Sequence, residues 1–279
     1  MYDFICSTLA LHSITRTTNT LIFKGQCMAA MDLSKMGTAK VVLNTSDCNQ
    51  IVIEKWPVSD VEWAFYLYAA TELNQAGIAT PTLLSADATL RKLRLEYIPY
   101  KVDQTAVAND YAIAMLGRLH RYPANSEWLY HTYTWTETAL ENALMLLALP
   151  EKNARQLRRF QQNSNALFAC QSLVSGDSNA GNWGRRESGN LVLFDWERFG
   201  KGSPAIDLAP LIRGMGTKQE FIDLAGRYCQ LSSHQNIREL AREIAIVKAW
   251  IVTEVIVLLH MRQKSAFPLY LNWYREHLP

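Results

Sequence analysis

The hydrophobic period of this chain changes once, near residue 100, and that change limits the folds open to it. Up to about Leu95 the apolar residues come in short β-branched runs broken by turns, whereas from Tyr111 onward they recur at helical spacing. Val41-Val42-Leu43 and Ile51-Val52-Ile53, separated by the polar stretch Asn44-Thr45-Ser46-Asp47-Cys48-Asn49, predict an antiparallel hairpin. A helix follows: Val61, Phe65, Tyr68, Ala69 and Leu73 share one face, and Gly77 ends the run. Pro81-Thr82-Leu83-Leu84 and Leu93-Arg94-Leu95-Glu96-Tyr97 read as two further extended segments.

Beyond them the spacing predicts helices over Tyr111–His120, Thr136–Leu149, Lys152–Cys170, Lys218–Cys229 and Ile237–Gln263, with breaks at Pro123 and Pro150. Leu191-Val192-Leu193-Phe194 is a lone apolar strand inside this helical half. The fold class is therefore α+β. A small strand-rich N-terminal lobe, residues 1–98, joins a larger, mainly helical C-terminal lobe, residues 99–279, through Glu96-Tyr97-Ile98-Pro99. A length of 279 residues suits two such units at about 150 residues per domain.

Charge and cysteine usage narrow the function classes. With 28 Lys+Arg against 26 Asp+Glu, the formal charge of +2 gives no electrostatic reason to expect a nucleic-acid or acidic-membrane partner. The longest apolar region, Ile244 to His260, is interrupted by Lys248 and Glu254 and reads as a core helix, not a membrane span. The 5 cysteines form no C-x-x-C pair, and the start Met1-Tyr2-Asp3 carries an acid where a secretory leader carries basic residues. Reduced thiols in a cytoplasmic protein are expected.

Most of the chemistry is concentrated in Ser175-Gly176-Asp177-Ser178-Asn179-Ala180-Gly181-Asn182-Trp183, then Leu193-Phe194-Asp195-Trp196-Glu197, then Pro204-Ala205-Ile206-Asp207-Leu208-Ala209. An acid, an amide five positions on, and a second acid at the end of an apolar strand make a set of hard oxygen donors. Such a set suits Mg²⁺ whose remaining positions go to water and phosphate. Each piece alone has a plainer reading, since Asp-Ser-Asn-Ala-Gly-Asn is also a good turn sequence and Asp195 also suits a strand end. Their joint order does not.

That order resembles the aminoglycoside phosphotransferase and choline kinase superfamily, relatives of the protein kinases, whose pattern is His-x-Asp-x-x-x-x-Asn, a strand ending in Asp-Trp-Glu, then Pro-x-x-Asp-Leu-Ala. The Asp-Trp-Glu form leans to the choline, ethanolamine and thiamine kinase branch. Leu116-Gly117-Arg118-Leu119-His120 and the hinge-like Leu95-Glu96-Tyr97-Ile98-Pro99 extend the likeness over most of the chain. The resemblance implies a bilobal protein-kinase-like fold. It implies Asp177 as the catalytic acid residue that orients the acceptor hydroxyl, and Asn182 and Asp195 as Mg²⁺ ligands beneath ATP. It also places Glu96 and Ile98 at the nucleotide. Asp207 reads as structural, capping a helix and bracing the loop. One position departs from the pattern: Ser175 stands where the family has histidine, which puts the geometry of the loop in question.

In the N-terminal lobe Ile51, Ile53 and Lys55 share a strand face, and Lys55 reads either as a phosphate-binding lysine or as an exposed strand-end residue. Glu62 is either its partner or the acidic half of a capping box, Ser59-Asp60-Val61-Glu62. Ser34 and Gly37, in Leu33-Ser34-Lys35-Met36-Gly37-Thr38, are the candidates for a phosphate-covering loop, with Gly25 as an alternative.

For the acceptor, Trp128, Tyr130, Tyr133, Trp135, Glu127, Glu137 and Glu141 form an aromatic and acidic segment. Together with Glu197, Trp250 and Glu254 they either bind an organic cation or pack helices. The expected reaction is Mg²⁺- and ATP-dependent phosphoryl transfer to a small, cationic alcohol: choline, ethanolamine, thiamine, an amino sugar or an aminoglycoside. The alternative is a nucleotide-binding pseudokinase or regulatory module without turnover. No G-x-S-x-G elbow, G-x-x-x-x-G-K-[ST] loop or histidine cluster points elsewhere.

Overall fold

The computed structural model of the chain describes residues 31–32, 39–45, 50–232 and 236–278. Ser34, Gly37 and Gly25 lie outside the described residues, as does the turn at residues 46–49. The first lobe is an antiparallel sheet in the order β1-β2-β3-β5-β4, built from β1 (Met31–Asp32), β2 (Lys40–Thr45), β3 (Ile51–Trp56), β4 (Leu83–Asp87) and β5 (Lys92–Glu96). The hairpin expected from the β-branched runs is β2–β3, with Val41 opposite Lys55 and Leu43 opposite Ile53. Strand β4 starts only after Pro81, as the missing amide of proline requires.

Between β3 and β4 lies the lobe's helix, α1 (Asp60–Ala64), which runs through a π turn at Phe65–Ala69 into α2 (Ala70–Gln75). Its first turn is fixed by the Ser59 hydroxyl, which accepts from the Glu62 amide at 3.1 Å. The π turn directs Phe65 into the seam between the lobes. There its ring stacks on Trp196 at 4.2 Å and 8° and meets Phe199 edge-on at 5.0 Å.

After Tyr97-Ile98-Pro99 the chain enters the second lobe. Its elements are β6 (Tyr100–Lys101), α3 (Gln104–Val107), α4 (Asp110–Arg121), α5 (Glu137–Leu147), α6 (Glu151–Gln162), α7 (Asn165–Phe168), β7 (Leu173–Val174), β8 (Trp183–Arg185), β9 (Leu191–Leu193), β10 (Gly200–Lys201), α8 (Ala205–Leu208), α9 (Lys218–Ser232), α10 (Ile237–Met261) and α11 (Phe267–His277). The expected single helix over Lys152–Cys170 is two: Asn163 and Ser164 satisfy the end of α6 locally, and α7 restarts after them. The lone apolar strand is β9, the inner edge of the small sheet β6-β8-β9, and β7 pairs with β10. These short strands, unmarked in the sequence except for β9, carry the loops of the site.

Helix α10 is the spine of this lobe. Its 25 residues are apolar enough to cross a membrane by length and composition, yet 61% of its most apolar stretch is buried inside the protein. Lys248 within it donates to the Ile212 and Gly214 carbonyls at 2.6 and 3.0 Å, and burial holds this amine well below the usual lysine range. The lobes are fastened by Arg118 on the Gly77 carbonyl at 2.9 Å, the Leu193 amide on the Ala79 carbonyl at 3.0 Å, and the Phe65–Trp196 stack. Truncating Phe65 to Ala leaves a void in that seam. The variant is expected to lose about 3–5 kcal/mol of unfolding free energy in urea titrations, and a loss under about 1 kcal/mol would mean the seam contributes little.

Candidate active site

Lys55 ends the buried face of β3. Its ammonium sits 2.8 Å from Glu62 Oε1 and 2.7 Å from Asp195 Oδ1. Lys55 is 8% exposed and Glu62 1%, so the pair lies inside the molecule. Burial works against the lysine charge, but the Glu62 and Asp195 carboxylates outweigh it and hold the ammonium above the usual lysine range. Burial also dominates at Glu62, whose carboxyl is pushed up to about 7 despite the neighbouring ammonium. The open alternative at Glu62 is thereby resolved in geometry: Ser59 caps the helix amide, and the glutamate side chain turns to Lys55.

Asp195 stands just past β9 with φ +67°, a left-handed conformation that aspartate adopts more readily than most residues. Buried Trp196 and Phe199 hold the following turn, with Trp196 Nε1 donating to the Leu193 carbonyl at 3.0 Å. Glu62, Asp195 and Glu197 each offer a carboxylate oxygen within 4.8 Å of the others. Burial and then the Asp195 charge raise the Glu197 carboxyl above its ordinary range. This excess of carboxylates over the single lysine fits a hard divalent cation.

The loop from Ser175 to Asn182 is held by one buried acid. Asp207 lies within α8 and does not cap it as the sequence suggested; instead its side chain accepts from the Ser175 amide at 2.8 Å, the Ser175 hydroxyl at 2.8 Å and the Gly176 amide at 2.9 Å. His120 Nε2 lies 3.2 Å from the same carboxylate and His120 Nδ1 2.8 Å from the Tyr228 hydroxyl. Ser175 thus keeps the loop on Asp207 with its own hydroxyl, and an imidazole reaches the same acid from α4.

Gly176 has φ +81°, and a Cβ there would strike the Tyr133 hydroxyl and the Arg198 carbonyl and lie 2.7 Å from Arg198 Cβ. The next residue, Asp177, accepts from Asn179 Nδ2 at 2.7 Å, while Asn182 Nδ2 donates to the Asp177 carbonyl at 2.9 Å. With its amide nitrogen so engaged, Asn182 presents its oxygen as the donor atom.

Several expected site residues take other places. The Glu96 carboxylate is bound by Arg186 at 2.7 and 2.8 Å and by the Thr82 amide at 3.0 Å, which outweigh the cost of burial and hold it below the usual range. Its side chain braces the lobes, leaving only its backbone for a nucleotide. Ile98 packs by its side chain over Gly184, where an added Cβ would lie 2.6 Å from it.

Trp128, Trp135 and Trp250 are 5%, 3% and 2% exposed. Trp128 packs near Phe199 and stacks toward Tyr122, and Trp135 belongs to the same core, so neither offers an open ring face. Glu141 pairs with Arg158 at 2.7 Å, away from any aromatic cage. Sequence reasoning missed Arg198, whose guanidinium sits over Tyr133 and Trp250, and the roles of Arg186 and Asn179. Asn179 alone left a signal, as the middle residue of a polar turn; nothing distinguishes either arginine by pattern.

The phosphotransferase enzyme family model matches residues 44–243. No curated protein matches the chain by sequence. Among solved structures, the chain is similar to a macrolide 2'-phosphotransferase type I at 16% identity and TM-score 0.59, covering 90% of each chain. It is similar to the choline kinase LicA from Streptococcus pneumoniae at 16% identity and TM-score 0.60, covering 89% of this chain and 91% of that one. The GDP complex of wild-type aminoglycoside 2'-phosphotransferase-IIIa aligns at 11% identity and TM-score 0.62, covering 90% and 92%. At such identities these structures speak for the fold. The family match spans most of the chain, so the protein belongs to the phosphotransferase enzyme family, and its two-lobed fold is the one these structures share.

Proposed function

We propose that the protein transfers the γ-phosphoryl group of ATP to a hydroxyl of a small alcohol that carries a protonated amine. The observation that carries this reading is the meeting of Lys55, Glu62 and Asp195 from three elements, 140 residues apart along the chain, beside the loop that presents Asp177 and Asn182. Lys55, steadied by Glu62, is the group for the ATP phosphates, and the Tyr97-Ile98 segment joining the lobes is the candidate contact for the nucleotide base. Asn182 and Asp195 would hold Mg²⁺, with Glu197 as a further carboxylate. The ion would draw charge from the phosphate oxygens.

On this reading Asp177 would accept the proton of the acceptor hydroxyl as the new oxygen–phosphorus bond forms and the bond to ADP opens. Asn179 fixes one Asp177 oxygen at 2.7 Å, which orients the carboxylate for that step. The amine preference rests on the negative charge that Asp177, Asp195 and Glu197 bring to the site, which favours a cationic acceptor. A pseudokinase reading drew on Ser175. Its hydroxyl and amide both reach Asp207, so the loop stays anchored, and turnover is the better reading.

Purified protein with Mg²⁺ and ATP is expected to phosphorylate at least one member of an amino-alcohol and amino-sugar panel. Asp177→Asn should lower kcat by about 10²–10⁴-fold while ATP still raises Tm. ATP binding without turnover of any acceptor would overturn the enzyme reading, and unchanged kcat in Asp177→Asn would overturn the role of that residue.

A further inference from the structure

The groups best suited to hold an organic cation in this lobe are already holding one. Trp250 and Tyr133 stand edge to face at 5.9 Å and 89°, and Phe168 closes a third side at 5.0 Å from Trp250. Glu254, one turn beyond Trp250 on α10, presents its carboxylate to the same space. The Arg198 guanidinium fills that space. Its carbon is 5.3 Å from the Trp250 ring centroid and 5.9 Å from that of Tyr133, and both terminal nitrogens donate to Glu254 Oε2 at 3.1 Å. The Arg198 side chain is 20% exposed and that of Glu254 34%, so the pair reaches the surface and covers the buried Trp250 and Tyr133 rings.

The pair adjoins the catalytic loop. Arg198 packs against Gly176, the residue before Asp177, so closely that only a glycine fits, and Tyr133 donates its hydroxyl to the Arg198 carbonyl. Burial, followed by the Arg198 charge, also holds His131, in ring contact with Tyr133, down at about 4, so the arginine is the cation of this cluster at neutral pH.

A quaternary ammonium has no N–H to donate and depends on ring faces for recognition, whereas a primary ammonium is recognised by carboxylate oxygens. We infer that Arg198 is a specificity-determining residue: by occupying the Tyr133–Trp250–Glu254 cage as a built-in cation, it closes the acceptor site to quaternary ammonium alcohols and leaves it to acceptors that carry N–H donors. The inference rests on the acceptor site lying beside Asp177 as proposed above, but the cage itself is tested without turnover.

Tetramethylammonium and choline, titrated into the full chain by calorimetry and by tryptophan fluorescence, are the probes. The wild-type chain is expected to show no saturable binding of either. Arg198→Ala is expected to bind both, at least tenfold tighter than the wild type, or about 1.4 kcal/mol. Arg198→Gln, which removes the charge and shortens the side chain but keeps a polar group and more bulk than alanine, serves where the Ala variant does not fold.

Tetramethylammonium binding to the wild type as tight as to the variants overturns the proposal, and so does a folded variant that gains no binding. The Tm shift with Mg²⁺ and ATP, read separately, reports on the kinase reading alone. A wild-type chain that fails to bind ATP while Arg198→Ala gains tetramethylammonium would sink that reading and leave the cage standing.

Discussion

Everything the site can do depends on where the Lys55 ammonium is held. A lysine this far inside a protein is costly unless its charge is met, and here it is met from both lobes: by Glu62 on α1 and by Asp195 past β9. The contact therefore ties the two lobes together. Losing either carboxylate leaves a buried ammonium with half its compensation. The Phe65–Trp196 stack places the two carboxylate-bearing segments against each other, and the π turn that aims Phe65 lies immediately after the turn that carries Glu62. The geometry of the ion centre and the packing of the seam are one constraint.

A second buried acid does for the catalytic loop what Glu62 and Asp195 do for the lysine. Asp207 gathers the amides of Ser175 and Gly176 and the Ser175 hydroxyl, and hydrogen bonds to a charged acceptor are among the stronger ones available. Ser175, where the resembled pattern has histidine, thus ties the loop to Asp207. The hydroxyl is short enough to bond the carboxylate directly, and His120 approaches the same carboxylate from α4 at 3.2 Å.

Much of this was legible in the sequence wherever one local pattern decides the outcome. The β2–β3 hairpin follows from two β-branched runs around a polar turn, and α1 from an apolar stripe behind Ser59. The oxygen-donor set was visible because Asp177, Asn182 and Asp195 lie close in the chain and their spacing is unusual. What escaped was decided by distant partners. Glu96 looks like a hinge residue, but its side chain goes to Arg186, which is 90 residues on. Trp128 and Trp135 look like cation-binding aromatics because composition cannot tell an open ring face from a packed one, and Trp250 does meet a cation, but one supplied by the chain itself. Arg198 carries no periodic or motif signal; its place follows from Gly176, Tyr133 and Glu254 arriving together in three dimensions.

The account stands on Asp195 serving two partners, Lys55 directly and a phosphate-bound Mg²⁺ on the proposed reading. The most direct measurement is the ATP dissociation constant with and without Mg²⁺, by calorimetry, for the wild type and Asp195→Asn. The account predicts that Mg²⁺ tightens ATP binding to the wild type by at least about tenfold, or 1.4 kcal/mol, and that the gain disappears in Asp195→Asn. ATP affinity that ignores Mg²⁺ in the wild type, or a gain that survives in Asp195→Asn, would contradict it.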